Sequence, residues 1–571
     1  MNPRPWLVVL LVWSWLSPAL PAQQEAIRFE RAYQRLDQFA LRAMQTDRTP
    51  GMAVALTGRE GLLRVSTYGC ADLGTREPVS ADTLFEIGSI SKSFTAIALL
   101  RLREQGKLDL NAPIDRYLPW FSIHSEFDPI TPHHLLSHTA GIPRDRDDIP
   151  SSLYQAASLR ERSTGSAPGS YYAYSNIGFQ VLGYLVEELT RRPYAEVIRK
   201  SIFEPVGMDH SEAAITNAIR PKLAVGYVSA YDDRPEPSNQ DPPVPGSWVE
   251  YGAGDGSICA TAADLAAYLR MLLNRGAAPG GRVLSEESFQ LLTQRVIQNS
   301  GSSEPTSYYG YGLVVREVDG HHQILHGGGM IGYSSMLLGD LTDGLGAVVL
   351  VNGPGYPGAV ARFALQLLQA ASQGRDLPEL PKQEPLTKVE HAADYAGSYT
   401  GPGGATLELR ADGDQLWLLH QNERILLEPR GEDHFFVPHP DFALFLLSFG
   451  RNQDQAVVEA SFGPDWYAGE RYTGPRSFEL PSGWEAYPGH YRTQQPWFTN
   501  FRIVPRKGAL WLITPEGDEE ALEPLQTGEG ALFRVGADKE SAEGLRFDTL
   551  MNGKALRANL SGVDYYRTFT P

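Results

Sequence analysis

Cysteine is almost absent from this chain. Cys70 and Cys259 are the only two among 571 residues, so no disulfide framework can hold the fold together. Basic residues are also few, since 50 lysines and arginines stand against 68 acidic residues. The formal net charge is therefore -18. Nucleic acids and anionic membranes would repel such a protein at long range. The composition therefore argues against nucleic-acid or strong membrane binding and favours a small molecule or a short peptide as the partner.

Long apolar runs are missing except at the N-terminus. Residues 1–22 contain one arginine, then an apolar run from Trp6 to Leu16, then small residues and prolines. This layout is typical of a secretory signal peptide that is cleaved after Ala19 or Ala22. The alternative is an uncleaved N-terminal membrane anchor, but the run is shorter than the roughly 20 residues of a spanning helix. The sequence therefore predicts an exported protein, either periplasmic or secreted.

The rest of the chain divides into regions of different pattern. Residues 27–373 alternate helical and strand patterns with strands that pair as neighbours, which predicts an antiparallel sheet flanked by helices. Residues 374–388 are rich in proline and charge and have no apolar period, so they predict a linker. Beyond the linker the pattern is almost wholly that of β-strands.

The C-terminal part repeats itself. YAGSY at residue 395 returns as YPGHY at 487, LWL at 416 returns at 510, and LEP at 427 returns at 522. The offsets are 92, 94 and 95 residues in one order, which predicts two copies of one small β-domain, at residues 389–475 and 482–571. Short alternating runs and glycine turns predict an antiparallel barrel or sandwich for each copy. Neither copy contains a catalytic constellation.

Ser89 and Lys92 stand three residues apart in FEIGSISKSFT, where a helical pattern begins. Residues three apart share a helix face, so the hydroxyl and the amine can approach each other. A lysine buried among apolar residues can accept the serine proton, and the N–H groups at a helix start can stabilise an oxyanion. Taken alone, so short a pattern more commonly marks a helix cap beside a solvated lysine.

Two later segments supply further groups for such chemistry. YSN brings together the phenol of Tyr174, which can relay protons, and the amide of Asn176, which can bind a substrate carbonyl. HGGG places His326 ahead of Gly328 and Gly329, where a substrate can lie against the backbone and the N–H of Gly329 can face an oxyanion. Taken alone, Tyr174 is better explained as a packed aromatic residue, and the alternative for the glycine run is a turn.

The histidines of HHLLSHTAGIP raise the question of a metal site. His134 and His138 have the i, i+4 spacing of a helix face, and His133 adjoins them. No HExxH pattern is present, and no acidic residue stands between the histidines as a general base. We therefore expect structural histidines near a turn and no metal.

These motifs together carry a family resemblance. SISK, YSN and HGG in this order, with ITPHHLLSHTAGIP, FEPVGMDHSE and GAGDGSICATAADL, resemble the serine β-lactamase and penicillin-binding protein superfamily, specifically its class C-like branch. That branch includes β-lactamases, DD-peptidases, carboxylesterases and D-aminopeptidases. The resemblance covers nearly all of residues 27–373 and implies an α+β fold, with two β-barrel-like domains after it as in the layout of D-aminopeptidases.

The resemblance also implies a role for each motif residue. Ser89 would attack the substrate carbonyl and form an acyl-enzyme, while Lys92 and Tyr174 share acid-base duty. Asn176 would bind the substrate carbonyl or amide. The backbone N–H groups of Ser89 and Gly329 would form the oxyanion hole. No metal or organic cofactor is required by this scheme.

His326 is a departure from the pattern of many β-lactamases and transpeptidases, which have the lysine of Lys-Thr-Gly there. Histidine has a reference pKa of about 6.5 and is mostly neutral at pH 7, so a fixed charge for a substrate carboxylate is missing. This disfavours a true β-lactamase and favours esters and amides, such as D-amino-acid amides. We therefore predict an exported serine hydrolase that cleaves an ester or amide, with a D-aminopeptidase or DD-peptidase-like peptidase as the alternative.

A protein of another class remains as a rival. A non-catalytic binder of cell-wall peptide or of another protein would use the same cleft without turnover. Loss of the nucleophile, the base or the oxyanion glycine would mark such a protein. Ser89, Lys92 and Gly329 are all present, which favours the enzyme.

Overall fold

The computed structural model describes residues 19–145, 151–235, 243–299, 305–382, 385–526 and 531–569. The apolar N-terminal run lies outside these ranges, so the signal peptide and the anchor alternative stay predictions. Each helix within the ranges falls short of the length or the apolar character that a bilayer crossing requires. Both cysteines are free thiols, Cys259 being buried.

Helices and strands alternate through the N-terminal unit, which extends as far as residue 372. Its helices are α1 Ala19–Asp47, α2 Ser91–Glu104, α3 Pro132–Leu136, α4 Ser152–Ala157, α5 Asn176–Thr190, α6 Tyr194–Ile198, α7 Glu204–Val206, α8 Ala262–Leu273, α9 Glu286–Leu292 and α10 Pro357–Ser372. Its strands are β1 Gly51–Gly58, β2 Leu62–Asp72, β3 Glu77–Pro78, β4 Phe85–Glu86, β5 Tyr227–Val228, β6 Val244–Pro245, β7 Cys259–Ala260, β8 Ala277–Ala278, β9 Gly281–Arg282, β10 Ile297–Gln298, β11 Ser307–Tyr309, β12 Val314–Val318, β13 His321–Met330, β14 Tyr333–Asp340 and β15 Leu345–Val351.

One antiparallel sheet forms the centre of this unit. Its nine strands in the described chain run in the order β10-β11-β12-β13-β14-β15-β1-β2-β3. The apolar sequence of β15 reflects burial on both faces. Val348 and Leu350 face a core shared with α2, α5 and α8, while Val349 and Val351 face α1 and α10. The sheet with helices on both faces confirms the fold predicted from the sequence.

Capping residues set the starts of the helices that carry or support the site. The side chain of Ser175 accepts from the N–H of Gly178 at 3.1 Å and begins α5. Thr261 caps α8 in the same way, as the sequence predicts, by accepting from the N–H of Asp264 at 3.1 Å. The helix α5 ends where Arg191 takes a left-handed backbone conformation with φ of 56°.

The segment predicted as a linker contains no helix or strand in its described residues, 374–382 and 385–388. It runs beside α1, where Arg35 donates to the carbonyl oxygens of Leu377 at 2.9 Å and Pro378 at 2.7 Å. The path of the chain from α10 to the C-terminal sheets is therefore fixed by contacts with the first helix.

Two antiparallel sheets follow, one for each sequence repeat. The first contains β16 Gly397–Thr400, β17 Thr406–Asp412, β18 Gln415–His420, β19 Glu423–Leu426, β20 Glu428–Pro429, β21 His434–Phe436, β22 Leu447–Arg451, β23 Val457–Phe462 and β24 Asp465–Gly469. The second contains β25 Gly489–Arg492, β26 Asn500–Arg506, β27 Ala509–Ile513, β28 Glu519–Gln526, β29 Leu532–Val535, β30 Gly544–Met551, β31 Lys554–Leu560 and β32 Val563–Arg567. Strands β25 to β32 close into a barrel, whereas the first sheet ends at β19 and β20.

A shared tyrosine contact relates the two copies. In the first copy, the hydroxyl of Tyr399 donates to the carbonyl oxygen of Tyr395 at 2.9 Å. In the second, the hydroxyl of Tyr491 donates to the carbonyl oxygen of Tyr487 at 2.7 Å. The sheet of the first copy is nearly closed as well, because Leu427 alone separates its two edge strands, β19 and β20, along the chain. These sheets agree with the predicted pair of barrel-like domains.

Candidate active site

The backbone around Gly88 fixes the position of Ser89. A single 3-10 turn, Gly88–Ile90, connects β4 to α2, and Gly88 has a φ of 51°. A side chain at Gly88 would place its Cβ 2.6 Å from the carbonyl oxygen and 2.8 Å from the nitrogen of Gly329. Glycine is therefore required by conformation and by space. The turn holds Ser89, which is half-buried, against the end of β13.

Strand β13 presents an open backbone edge to this turn. A two-residue turn joins β13 to β14, so the closing pair, Met330 and Tyr333, exchanges backbone hydrogen bonds. Bonded and non-bonded pairs alternate along an antiparallel ladder, which directs the N–H groups of Gly327 and Gly329 away from β14. Within the described chain, β12 pairs with β13 only as far as Leu325. The N–H of Gly329 is therefore not used by the strand ladder and lies at the serine turn, where a Cβ on Gly88 would come within 2.8 Å of its nitrogen. A Cβ on Gly329 itself would meet no atom within 4 Å.

Lys92 is completely buried at the start of α2, with 0% of its surface exposed. Its Nζ donates to Oγ of Ser89 at 2.9 Å and to Oδ1 of Asn176 at 2.6 Å. A third bond goes to the backbone carbonyl of Asp255 at 2.9 Å. No carboxylate of the described residues lies within ion-pair distance of this amine. Three neutral acceptors therefore hold the amine of Lys92 beside Ser89.

Tyr174 and Asn176 reach Ser89 and Lys92 from the start of α5. The phenolic hydroxyl of Tyr174 donates to Oγ of Ser89 at 2.8 Å. The amide nitrogen of Asn176 donates to Oδ1 of Asp145 at 2.5 Å, which orients its amide oxygen toward Lys92. Lys92 and Tyr174 thus converge on the hydroxyl of Ser89, and Asn176 holds Lys92 in place. This convergence is the arrangement that the SISK and YSN motifs imply.

His138 supports Tyr174 and was not singled out by the sequence for this position. Its ring lies 4.2 Å from the ring of Tyr174, and its Nδ1 accepts from the N–H of Ser175 at 3.0 Å. Burial lowers the pKa of His138 well below its usual range, so the ring is neutral. A neutral imidazole can accept the Ser175 N–H bond without placing a second positive charge beside Lys92.

Asp255 closes the other side of the network. The hydroxyl of Tyr251 donates to its two carboxylate oxygens at 2.8 and 2.9 Å. The side chain of Asp255 is 7% exposed, and burial raises its pKa while the charge of Lys92 opposes the rise. The GAGDGSICATAADL segment contains Asp255, but no pattern in the sequence shows that its backbone carbonyl would hold Lys92.

His326 and Gly328 lie in the wall of the site. Nε2 of His326 lies 3.0 Å from the hydroxyl of the buried Tyr309, and Nδ1 lies 2.6 Å from the carbonyl oxygen of Gly327. Burial lowers the pKa of His326 to about 4, so the ring is neutral at pH 7. A Cβ on Gly328 would lie 1.9 Å from the carbonyl oxygen of Ile87. Gly328 therefore permits the close approach of the serine turn to β13.

The histidines near α3 do not share a helix face. The helix α3 ends at Leu136, and His138 lies beyond it with a φ of 58°. Nδ1 of His133 contacts the hydroxyl of Tyr311 at 2.6 Å, and His134 completes the cap of α3 through Thr131. The three rings thus have structural partners in three different places, as expected for histidines near a turn.

Comparison with known proteins places the chain in a family. The model of the family described as Beta-lactamase matches residues 36–371. "Penicillin-binding protein 4" of Amycolatopsis lactamdurans is 30% identical over 383 residues, covering 64% of this chain and 96% of that protein. "D-aminopeptidase" of Gluconobacter oxydans is 28% identical over 379 residues, covering 63% of this chain and 66% of that protein. The solved octameric penicillin-binding protein homologue from Pyrococcus abyssi has a TM-score of 0.56 at 24% identity, over 76% of this chain and 99% of that one.

The fold and the matches together define a class of protein, the hydrolases of the serine β-lactamase and penicillin-binding protein type. The chain belongs to the beta-lactamase family, and the solved relative has the same fold. These findings confirm the superfamily inferred from SISK, YSN and HGG. The class C-like branch is consistent with relatives named as D-aminopeptidase and penicillin-binding protein.

Proposed function

We propose that the protein hydrolyses an ester or amide bond through an acyl-enzyme on Ser89. One observation carries the proposal. Oγ of Ser89 lies 2.9 Å from Nζ of Lys92 and 2.8 Å from the hydroxyl of Tyr174. A hydroxyl flanked by two groups that exchange protons, beside an open strand edge, is suited to nucleophilic attack on a carbonyl.

In the acylation step, either the free amine of Lys92 or the phenolate of Tyr174 takes the hydroxyl proton of Ser89 as Oγ bonds to the substrate carbonyl carbon. The N–H groups of Ser89 and Gly329 bind the resulting oxyanion, and one such donor contributes about 3 kcal/mol in known cases. The intermediate expels an alcohol or amine, which takes the proton, and an ester remains on Ser89. Water then attacks this ester by the same sequence and releases the acid.

The substrate class is proposed from the charge of the site. A neutral, buried His326 provides no fixed positive charge for a substrate carboxylate. Esters and amides without such a carboxylate therefore fit better than β-lactams or D-Ala-D-Ala peptides. Among amides, a D-amino-acid amide is the alternative that the relative named D-aminopeptidase supports.

An active-site probe and a substrate panel test this proposal. A fluorophosphonate and a penicillin-type probe should leave an adduct on the Ser89 peptide, and Ser89→Ala should abolish it. Ser91→Ala is the matched control, because the Ser91 hydroxyl accepts a structural bond from the Ile258 N–H at 3.2 Å. The panel is p-nitrophenyl acetate, nitrocefin, D-alanine p-nitroanilide and an acyl-D-Ala-D-Ala peptide, of which the acetate and the anilide should turn over fastest.

The outcomes separate the enzyme from its rival. No adduct with either probe, together with intact p-nitrophenyl acetate, would refute an acylating serine. A Ser89→Ala protein that retains its full biological function would favour the non-catalytic binder. Hydrolysis of nitrocefin above all other substrates would overturn the assignment of substrate class.

Export is proposed separately, on the layout of residues 1–22 alone. Mass spectrometry of the N-terminal peptide from protein expressed in full length tests it. Cleavage after Ala19 or Ala22 supports a signal peptide, and an intact N-terminus in the membrane fraction supports the anchor.

A further inference from the structure

A small cavity of about 100 Å³ lies near the serine turn, past the end of β13. Its lining includes one acid, one base and several large apolar side chains: Glu86, Arg220, Trp248, Met330, Tyr333 and Trp497. Met330 is the residue after Gly329, and Glu86 precedes Ser89 by three positions. The cavity is therefore built from the same two backbone segments that form the site of acylation.

Trp497 comes from the loop between β25 and β26, so the closed barrel supplies one wall. Its ring packs edge-on against Tyr251 at 6.4 Å between centroids. Tyr251 in turn binds Asp255, whose carbonyl accepts the bond from Lys92. The barrel wall of the cavity and the catalytic amine are thus connected through two residues.

Glu86 lines the cavity with a buried carboxyl group. The side chain is 7% exposed, and none of the described residues forms a hydrogen bond or an ion pair with its carboxyl group. Burial raises the pKa of Glu86 to about 8. A buried carboxyl group without a partner lowers the stability of the folded protein. Because Glu86 lines a cavity, its burial points to a ligand that would pair with it.

The other charged groups near Glu86 do not meet this need. Arg220 lines the same cavity, but its guanidinium stacks on the ring of Trp248 at 4.9 Å from the centroid. Tyr333 and Cys259 face Glu86 and have raised pKa values because of burial, with a contribution from the carboxylate of Glu86. Glu212, next to Cys259, adds negative charge. The surroundings therefore favour a cation over an anion beside Glu86.

We propose that this cavity binds a cationic amino group in the acyl part of the substrate, with Glu86 as the counter-ion and the rings of Trp248, Tyr333 and Trp497 as apolar walls. Ammonium ions bind well between a carboxylate and aromatic faces. A cavity of about 100 Å³ has room for an aminomethyl group. The inference rests on the proposed acyl-enzyme function, because it assigns the cavity to the acyl side of the bond that Ser89 attacks.

Binding to a protein that cannot turn over substrate tests the cavity apart from the chemistry. Calorimetric titration of the Ser89→Ala protein compares β-alanine p-nitroanilide with butanoic acid p-nitroanilide, in which a methyl group replaces the ammonium. In a longer pair, 6-aminohexanoic and heptanoic acid p-nitroanilides, the ammonium or methyl group lies further from the carbonyl. At pH 8 the cation should bind about tenfold more tightly than its neutral partner in at least one pair.

Glu86→Gln, added to the Ser89→Ala protein, should remove this preference, and Trp497→Ala should reduce it. Glu212→Gln is the matched control, since it removes a nearby charge that does not line the cavity. The preference should also grow about tenfold per pH unit up to about pH 8, because the cation displaces the proton of Glu86. Circular dichroism checks that each variant is folded.

Equal affinity for both members of both pairs would overturn the inference, and so would a preference that survives Glu86→Gln or that Glu212→Gln removes equally. If Glu86→Gln does not fold, the Trp497→Ala result and the pH dependence decide. Failure here with an intact adduct on Ser89 leaves the proposed hydrolase standing. Absence of the adduct with ammonium binding present would instead refute the hydrolase and keep the cavity.

Discussion

Glu86→Gln is expected to remove a pH dependence from the stability of the N-terminal unit. Burial raises the pKa of the Glu86 carboxyl from 4.5 to about 8. Between these values the unfolded chain has released the proton, while the folded chain still holds it. By linkage, the free energy of unfolding falls as the pH rises through this window. Glutamine has no proton to titrate, so the slope contributed by Glu86 disappears.

The size of the effect follows from the width of the window. One pKa unit corresponds to about 1.4 kcal/mol. The shift of Glu86 from 4.5 to about 8 therefore costs the folded state about 5 kcal/mol at alkaline pH. The stability of Glu86→Gln relative to the parent should increase by about 1.4 kcal/mol for each pH unit between about pH 5 and about pH 8.

Differential scanning calorimetry at a series of pH values measures this difference. A chain with several cores unfolds in more than one step, so the transition of the N-terminal unit is identified by its shift after fluorophosphonate labelling of Ser89. A difference between Glu86→Gln and the parent that stays constant across the pH range would refute the conclusion that the folded protein holds Glu86 protonated.

Other substitutions test the serine site. Tyr174→Phe removes the hydroxyl 2.8 Å from Ser89 but keeps the ring, so kcat/KM for p-nitrophenyl acetate should fall about 10²–10⁴-fold without a change in Tm. Gly328→Ala should lower Tm sharply, because its Cβ would lie 1.9 Å from a carbonyl oxygen. Gly329→Ala meets no such clash, so this variant should fold normally but should react more slowly with fluorophosphonate. Equal Tm values for Gly328→Ala and Gly329→Ala would contradict the packing argument. Burial lowers the pKa of His326 to about 4. Its contribution to the free energy of unfolding should therefore fall by about 1.4 kcal/mol per pH unit as the pH drops from 6.5 toward 4. Calorimetry of His326→Gln should lack this slope.

The contact between Ser89 and Lys92 could be predicted from local geometry, because residues three apart at a helix start share a face. The contact with Tyr174 could not, since 85 residues separate it from Ser89 and only the ordered motifs of a family link them. No pattern in the sequence predicts the third acceptor of Lys92. It is the backbone carbonyl of Asp255, and any residue at that position would offer the same atom. Its position depends on how the chain packs and not on the identity of the side chain.

His138 shows how a spacing can mislead. The i, i+4 relation to His134 assumed a helix through both residues, yet α3 ends at Leu136. Helix ends are commonly marked by glycine, which accepts a positive φ, but here His138 itself takes a φ of 58°. The left-handed conformation turns its ring toward Tyr174. The end of α3 therefore depends on how the loop packs, and no glycine at that point of the sequence predicts it.

The offsets between the two repeats, in contrast, locate a feature of the site that their composition does not reveal. The offset grows from 92 at YAGSY to 94 at LWL, so the second copy has gained two residues between these signatures. The structure places the gain in one loop, which spans 401–405 between β16 and β17 and 493–499 between β25 and β26. The longer loop carries Trp497 to the cavity that Glu86 lines. The two extra residues thus fall in the barrel loop that lines this cavity. Shortening that loop to the five residues of the first copy should therefore weaken ammonium binding while the barrel stays closed.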